Sequence, residues 1–341
     1  MSHPRVSVVL PVRNARETLD ECLQSVTEQT LTNFEVIVVD DGSSDGSAAK
    51  LAYWAQRDFR LKIVSQGPQG LVNALNNGLG QAKAPYIARM DADDVMHPQR
   101  LELQWSHLER HTEVGLVACQ VELFPGEDVQ AGYREYLRWQ NQCLEPADIA
   151  KEMFVESPLA HPSVMLRKAL LDQHGTYRQG EFPEDYELWL RLNHAGVKMR
   201  KLPRVLLYWR ESSERTSRVD PRYARSRFDW LRAEYLAKHP LLQRGRPIVY
   251  WGAGRKTRQR SALLINKGFN PFAWIDIDPK KIGNRIQGAL VQPAQWLQQT
   301  KVRARKPVVL SYVTNHGARD LIASQLERYG YEQGEDFLMV G

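Results

Sequence analysis

The sequence predicts an α/β protein whose first part is built on a parallel sheet. Val6 to Val12 is an apolar run, and Phe34 to Val39 is a second, unbroken one of the kind found in parallel strands covered on both faces. Segments of helical period alternate with strand-like runs over residues 1–110, the order of right-handed crossovers. Two of these strands end in acids, and ligands of open α/β sheets bind at carboxyl ends of strands.

Taken in order, Asn14-Ala-Arg-Glu17 reads as a capping box after the first strand. Leu19, Cys22, Leu23 and Val26 then fall on one face of the helix it opens. After the second strand the pattern predicts a helix over 47–56, a strand over 61–65, a helix over 71–81 and a strand over 86–90. The middle is less regular, with a strand over 115–124 and a helix over 185–195. Asp220-Pro221 is a good cap and first-position pair for a last amphipathic helix carrying Ala224, Phe228, Leu231 and Tyr235. His239 to Pro247 reads as a linker, after which Ile248-Val-Tyr-Trp-Gly252-Ala-Gly254 starts a new α/β pattern with strands near 272–276 and 307–311. Two domains are therefore expected, 1–240 and a smaller one at 247–341.

Composition fits a folded enzyme-sized chain: 341 residues, 43% hydrophobic, 25% charged. There is no apolar run near the ~20 residues of a membrane span. The first twelve residues carry no signal-peptide pattern, so a cytoplasmic protein is expected. Cys22, Cys119 and Cys143 lack metal-ligand spacing and read as reduced thiols. Between Arg200 and Arg232 stand ten Lys/Arg and four Asp/Glu, a local surplus equal to the +6 of the whole chain. Arg215 to Arg232 reads either as a solvated face or as a contact for an anionic acceptor at the inner face of the cell membrane, where the protein would sit peripherally. No nucleic-acid module is recognised.

The acids at the strand ends carry the chemistry. Asp40 and Asp41 follow the second strand; Asp91, Asp93 and Asp94 follow the fourth. Three carboxylates within four residues repel one another unless a cation neutralises them, and oxygen ligands suit Mg²⁺ or Mn²⁺. The alternative is a solvated acidic turn, with Asp94 opening the helix that holds Pro98 to Arg110.

Six segments in order then resemble the family 2 glycosyltransferases, which have a GT-A fold. They are Val6-Ser-Val-Val-Leu-Pro-Val-Arg-Asn14, Phe34-Glu-Val-Ile-Val-Val-Asp-Asp-Gly-Ser-Ser-Asp45, Gly70-Leu-Val-Asn-Ala-Leu-Asn76, Ala88-Arg-Met-Asp-Ala-Asp-Asp94, His161-Pro-Ser-Val and Glu184-Asp-Tyr-Glu-Leu-Trp189. The resemblance implies an inverting transfer from a nucleotide-diphosphate sugar, UDP-linked by default, to a saccharide or lipid-linked acceptor. It places Pro11 and Asn14 at the start of the nucleotide pocket and Asp41 on the base. Asp91-Ala-Asp93 matches the D-x-D motif, whose last Asp ligates the metal. Asp185 falls where the family has its general base, although Glu184-Asp185 also suits a helix N-terminus through the dipole. Asn76 and Arg89 lie beside the donor in this pattern, His161 is a candidate neighbour, and Arg210 is a candidate contact for the diphosphate after loop closure. The processive members' Q-x-x-R-W motif is missing from the sequence, which favours addition of a single sugar, in cell-surface polysaccharide or glycolipid assembly.

The tail resembles the start of a Rossmann dinucleotide site, with Gly252-Ala-Gly254 after a strand and Asp276 beyond. Thr257 stands where the third glycine belongs, which argues against a working NAD site and for a structural or oligomerising, Rossmann-like domain. Two other function classes stay open at this level. A sugar nucleotidyltransferase would want a Gly-rich first loop in place of Pro11-Val-Arg-Asn14, and a nucleotide-sugar-binding regulatory protein would not need Asp185.

Overall fold

The computed structural model describes residues 3–124, 131–212, 215–314 and 316–341. Ser213 and Glu214 of the basic stretch lie outside the described residues. Its contacts divide the chain into two compact units, one of residues 1–149 and 158–222, the other of residues 150–157 and 223–341.

The first unit is an eight-stranded sheet. Its strands are β1 (Val6–Val12), β2 (Phe34–Asp41), β3 (Leu61–Gln66), β4 (Tyr86–Arg89), β5 (Val95–Met96), β6 (Val114–Phe124), β7 (Met165–Arg167) and β8 (Lys198–Arg210), in the order β3-β2-β1-β4-β7-β6-β8-β5. β1 pairs in parallel with β2 and β4, and β2 with β3. Every residue of β1 and β2 is buried, as their unbroken apolar character requires. β7 runs antiparallel to β4 and β6. The helices are α1 (Leu19–Thr27), α2 (Ser47–Arg57), α3 (Leu71–Gln81), α4 (Arg100–Arg110), α5 (Ala131–Gln142), α6 (Pro146–Glu152, whose last three residues count with the second unit), α7 (Lys168–His174), α8 (Glu184–His194) and α9 (Thr216–Val219). α1 buries Leu19, Cys22, Leu23 and Val26, the four residues that share a face in the sequence.

The predicted capping box does not form. Asn14 adopts a left-handed backbone, φ 51°, and its side chain turns to the loop after β2, so α1 starts later, with Thr18 before it.

The second unit holds α10 (Arg225–Leu236), α11 (Pro240–Gln243), β9 (Ile248–Trp251), α12 (Arg255–Ile265), β10 (Pro271–Ile275), β11 (Arg285–Ile286), β12 (Ala289–Gln292), α13 (Thr300–Arg303), β13 (Val308–Ser311), α14 (His316–Arg328) and β14 (Phe337–Met339). Its six strands run β11-β12-β10-β9-β13-β14, parallel except for the β11–β12 hairpin. The segment read as a linker is partly structured: α11 buries Leu241 and Leu242. The contact division falls at Arg222–Tyr223, ahead of residues 240–247, because α10 pairs with α12 through Asp229–Arg260 and with the turn just after α12 through Glu234–Lys267. Asp220-Pro221 opens a 3-10 turn, not α10 itself, and Ala224 is exposed and Phe228 only half-buried; Leu231 and Tyr235 are buried as expected, together with Ala233 and Leu236.

Candidate active site

After β1 the chain builds β2 and β3 on one side and β4 on the other. The carboxyl ends of β1 and β4 therefore part at a switch point, the place where such sheets take ligands. Pro11 fits this. Val9 O accepts from Met90 N, so the backbone groups of Val9 and, two residues on, Pro11 face β4. The β1–β4 pairing has ended at Val9–Arg89, so a proline without an N–H costs no ladder bond.

Beyond β4, ligand atoms of Asp91, Asp93 and Asp94 lie within 4.8 Å of one another. Asp94 is fully buried; its Oδ1 accepts from Arg210 N at 2.8 Å, and its Oδ2 has no hydrogen-bond partner among the described residues. Burial and the Asp91 charge push the Asp93 carboxyl up to about 6, and the same causes, with Asp93 added, raise Asp94 well above the ordinary range. An orphaned buried oxygen beside two mutually repelling carboxylates suits an oxygen-seeking divalent cation. Asp91 and Asp93 would hold Mg²⁺ or Mn²⁺ here, with Asp94 beside them.

Four arginines surround the acids. Arg89 is buried and paired with Asp91, and its Nε lacks a hydrogen-bond partner among the described residues. Arg100, fully buried on α4, donates to Arg89 O at 2.9 Å and so fixes the chain as it enters the acidic turn. Arg210 donates through Nε to Asp93 O at 2.7 Å, pairs with Glu21 and lies over Phe124. Its guanidinium thus braces the acidic turn in which the candidate diphosphate contact was expected. Arg215, which in the sequence belongs only to the basic stretch, has a buried guanidinium that stacks on Trp209 at 4.1 Å, pairs with Glu211 at 3.2 Å and acts on both Asp93 and Asp94. Arg218 also pairs with Glu211, Arg222 with Asp220, and Arg232 with Asp229, so the stretch is not uniformly a solvated face.

α8 delivers the second set of acids. Pro183 stops the helix from extending backward, and Glu184 and Asp185 lie in its first turn. Asp185 is half-buried, with Oδ1 accepting from Tyr186 N at 2.7 Å. Burial and the adjacent Glu184 push its carboxyl up to about 7, while Arg89 acts the other way. His161 lies 3.9 Å from Glu184 and 2.8 Å from the Tyr177 hydroxyl, and burial keeps its ring neutral. Tyr177 feels the charges of Arg89, Asp91, Glu184 and Asp185 together. The acids after β4 and those of α8 therefore share one electrostatic neighbourhood. No motif pointed to Tyr177.

Asn76, expected beside the donor, holds Tyr177. Its Nδ2 donates to Tyr177 O and its Oδ1 accepts from Tyr177 N, so its amide is fully engaged in holding that residue. Asn14 joins the loop after β2: its backbone N–H donates to Ser43 Oγ and its Oδ1 accepts from Ser44 N. The buried Asp41 carboxylate accepts from Gln66 Nε2, Gln69 N and Gly70 N, with Arg13 3.6 Å away. A carboxylate has about four lone-pair positions, which leaves room for one further donor such as a base N–H.

The family described as Glycosyl transferase family 2 matches residues 7–175. Among curated relatives, the amylovoran biosynthesis glycosyltransferase AmsE of Erwinia amylovora is 33% identical over 211 residues, covering 61% of this chain and 77% of the relative. The chain belongs to glycosyl transferase family 2. The O-antigen biosynthesis glycosyltransferase WbnJ of Escherichia coli is 29% identical over 216 residues, 62% of this chain and 82% of that protein. The crystal structure of S. aureus TarS 1-349 in complex with UDP-GlcNAc superposes with a TM-score of 0.54 at 17% identity, covering 77% of this chain and 79% of that one. That likeness extends to the fold, which is the GT-A type with a second α/β sheet following it. This family 2 chain is thus a glycosyltransferase. Among its described residues no helix is long and apolar enough to cross a membrane.

In the second unit, Asp276 Oδ2 accepts from Ala253 N at 2.8 Å and pairs with Lys281. A Cβ on Gly252 would meet Thr257 Cγ2 at 2.9 Å, so Thr257 packs against the loop where the dinucleotide pattern has its third glycine.

Proposed function

We propose that this glycosyltransferase moves a single sugar from a nucleotide-diphosphate donor, UDP-linked by default, to an acceptor hydroxyl with inversion at the anomeric carbon. The observation that carries this reading is the meeting of the Asp91–Asp94 acids with Asp185 around Arg89 and Tyr177 at one switch point. Asp185, with its carboxyl raised to about 7, is matched to take a proton from an acceptor hydroxyl near neutral pH. One displacement at the anomeric carbon, with the base on the face opposite the leaving group, inverts it. Asp91 and Asp93 would hold a divalent cation, which, when bound, stabilises charge on the departing diphosphate. Arg215, buried beside the same acids, would add fixed positive charge there. Asp41 would receive the base at its remaining acceptor position. The names of AmsE and WbnJ support a place in cell-surface polysaccharide assembly.

The test is a panel of nucleotide sugars with Mn²⁺ and simple saccharide or lipid-linked acceptors, the product analysed by NMR. Release of nucleoside diphosphate with an inverted anomeric centre is expected. A retained configuration would refute the single displacement at Asp185, and donor turnover undiminished in EDTA would refute the role given to Asp91 and Asp93.

A further inference from the structure

The second unit has a switch point of its own. From β9 the chain passes through α12 to β10 on one side, and β13 later pairs with the other side. The carboxyl ends of β9 and β13 part there, as at ligand crevices of open parallel sheets. A cavity of about 680 Å³ lies at this place. It is walled by Tyr312 and Val313 just after β13, by Lys256 and Arg260 of α12, and by Arg225 and Asp229 of α10.

Arg260 points to what the cavity takes. Its side chain is nine-tenths buried, and Nε donates to Asp229 Oδ1 at 3.0 Å. Nη1 and Nη2 have no hydrogen-bond partner among the described residues. Asp229 does not neutralise it alone, because the same Oδ1 accepts from Arg232 Nη1 at 2.6 Å. Buried N–H groups without partners are costly to a fold unless a ligand satisfies them. A planar guanidinium with two free nitrogens matches two oxygens of a phosphate. Arg225 and Lys256 are exposed at the same cavity and add positive charge. The volume far exceeds that of a bare phosphate, and Val313 and the Tyr312 ring give apolar surface for an organic body.

We propose that the second unit binds an organic phosphate of nucleotide size in this crevice, its phosphate held by Arg260 and Lys256. The site is independent of the donor site in the first unit.

The full chain is titrated calorimetrically in EDTA with AMP, UMP, NAD and inorganic phosphate. At least one nucleotide should bind, at least tenfold more tightly than inorganic phosphate. Arg260→Gln should weaken that binding at least tenfold. Lys256→Glu, an exposed change that leaves the fold intact, should do the same. Asp41→Asn, at the base position proposed in the first unit, should leave it unchanged, which separates this site from the proposed donor site. Failure of every probe to bind, equal affinity for phosphate and nucleotides, affinity retained in both second-unit variants, or loss in Asp41→Asn would overturn the proposal.

Discussion

Asn76 closes a ring of two hydrogen bonds with the backbone of Tyr177, donating to its carbonyl at 2.8 Å and accepting from its N–H at 3.1 Å. The contact joins α3 to the chain ahead of α8 and places the Tyr177 hydroxyl against His161. Asn76→Ala leaves both backbone groups of a buried residue unpaired, at a cost of about 1–3 kcal/mol. The expected result is a lower melting temperature and reduced turnover with little change in donor KM. Asn76→Asp retains the acceptor but loses the donor, so it should fall between the two. Equal stability of all three proteins would show that the ring contributes nothing.

Asp185 sets the pH dependence. Its carboxyl is raised from 3.8 to about 7 by burial and Glu184, so the charged base is gained only as pH rises through about 7. Turnover should therefore climb between about pH 6 and 8, with the limb belonging to the Glu184–Asp185 pair as a unit. Asp185→Asn should lose about 10²- to 10⁴-fold in turnover, lose the limb and still bind donor. Stability moves the opposite way. Between 3.8 and about 7 the folded state keeps a proton that the unfolded chain has released, so this group's contribution declines as pH rises through that window. A pH-rate profile and thermal melts of both proteins check the two signs.

What could be read from the sequence was what short windows contain. The run of β2 and the helical spacing of α3 are local, and α3 spans the predicted 71–81. The acids after β4 were visible because they are adjacent in the chain. α5 is hard to see in the sequence because it is polar overall and buries only Trp139 and Gln140. Arg215 looked like a solvated charge because its burial depends on Tyr133, 82 residues away. The bond between Asn76 and Tyr177 is invisible in the sequence because the two lie 101 residues apart and Tyr177 stands in no motif.

The acidic turn should show its need for a cation in thermal melts. Without metal, Asp93 and Asp94 are raised by burial and by the Asp91 charge, Asp94 by Asp93 as well, so the turn destabilises the fold when all three acids are charged. Asp93→Asn removes one charge and should raise the melting temperature in EDTA. Mn²⁺ should raise that of the wild type, by mass action, and that of Asp93→Asn far less. Equal shifts with Mn²⁺ in both proteins would place the cation elsewhere.

Gly78 tests how closely α3 must lie on the sheet that carries the site. A Cβ there would stand 2.7 Å from Val9 Cγ1 and 3.3 Å from Val39 Cγ2, both on buried strands. Helix propensity alone favours alanine over glycine by ~1 kcal/mol. The overlap acts against it, and forcing a methyl into a packed core costs about 1–3 kcal/mol. Because β1 and β2 are central and covered on both faces, they cannot give way, so α3 must lift. Gly78→Ala should therefore lower stability despite the better propensity. It should also move Asn76, two residues earlier on α3, away from Tyr177, so the loss of turnover seen in Asn76→Ala should reappear. Gly80→Ala on the same helix, where an added Cβ meets nothing within 4 Å, is the control and should be neutral or stabilising.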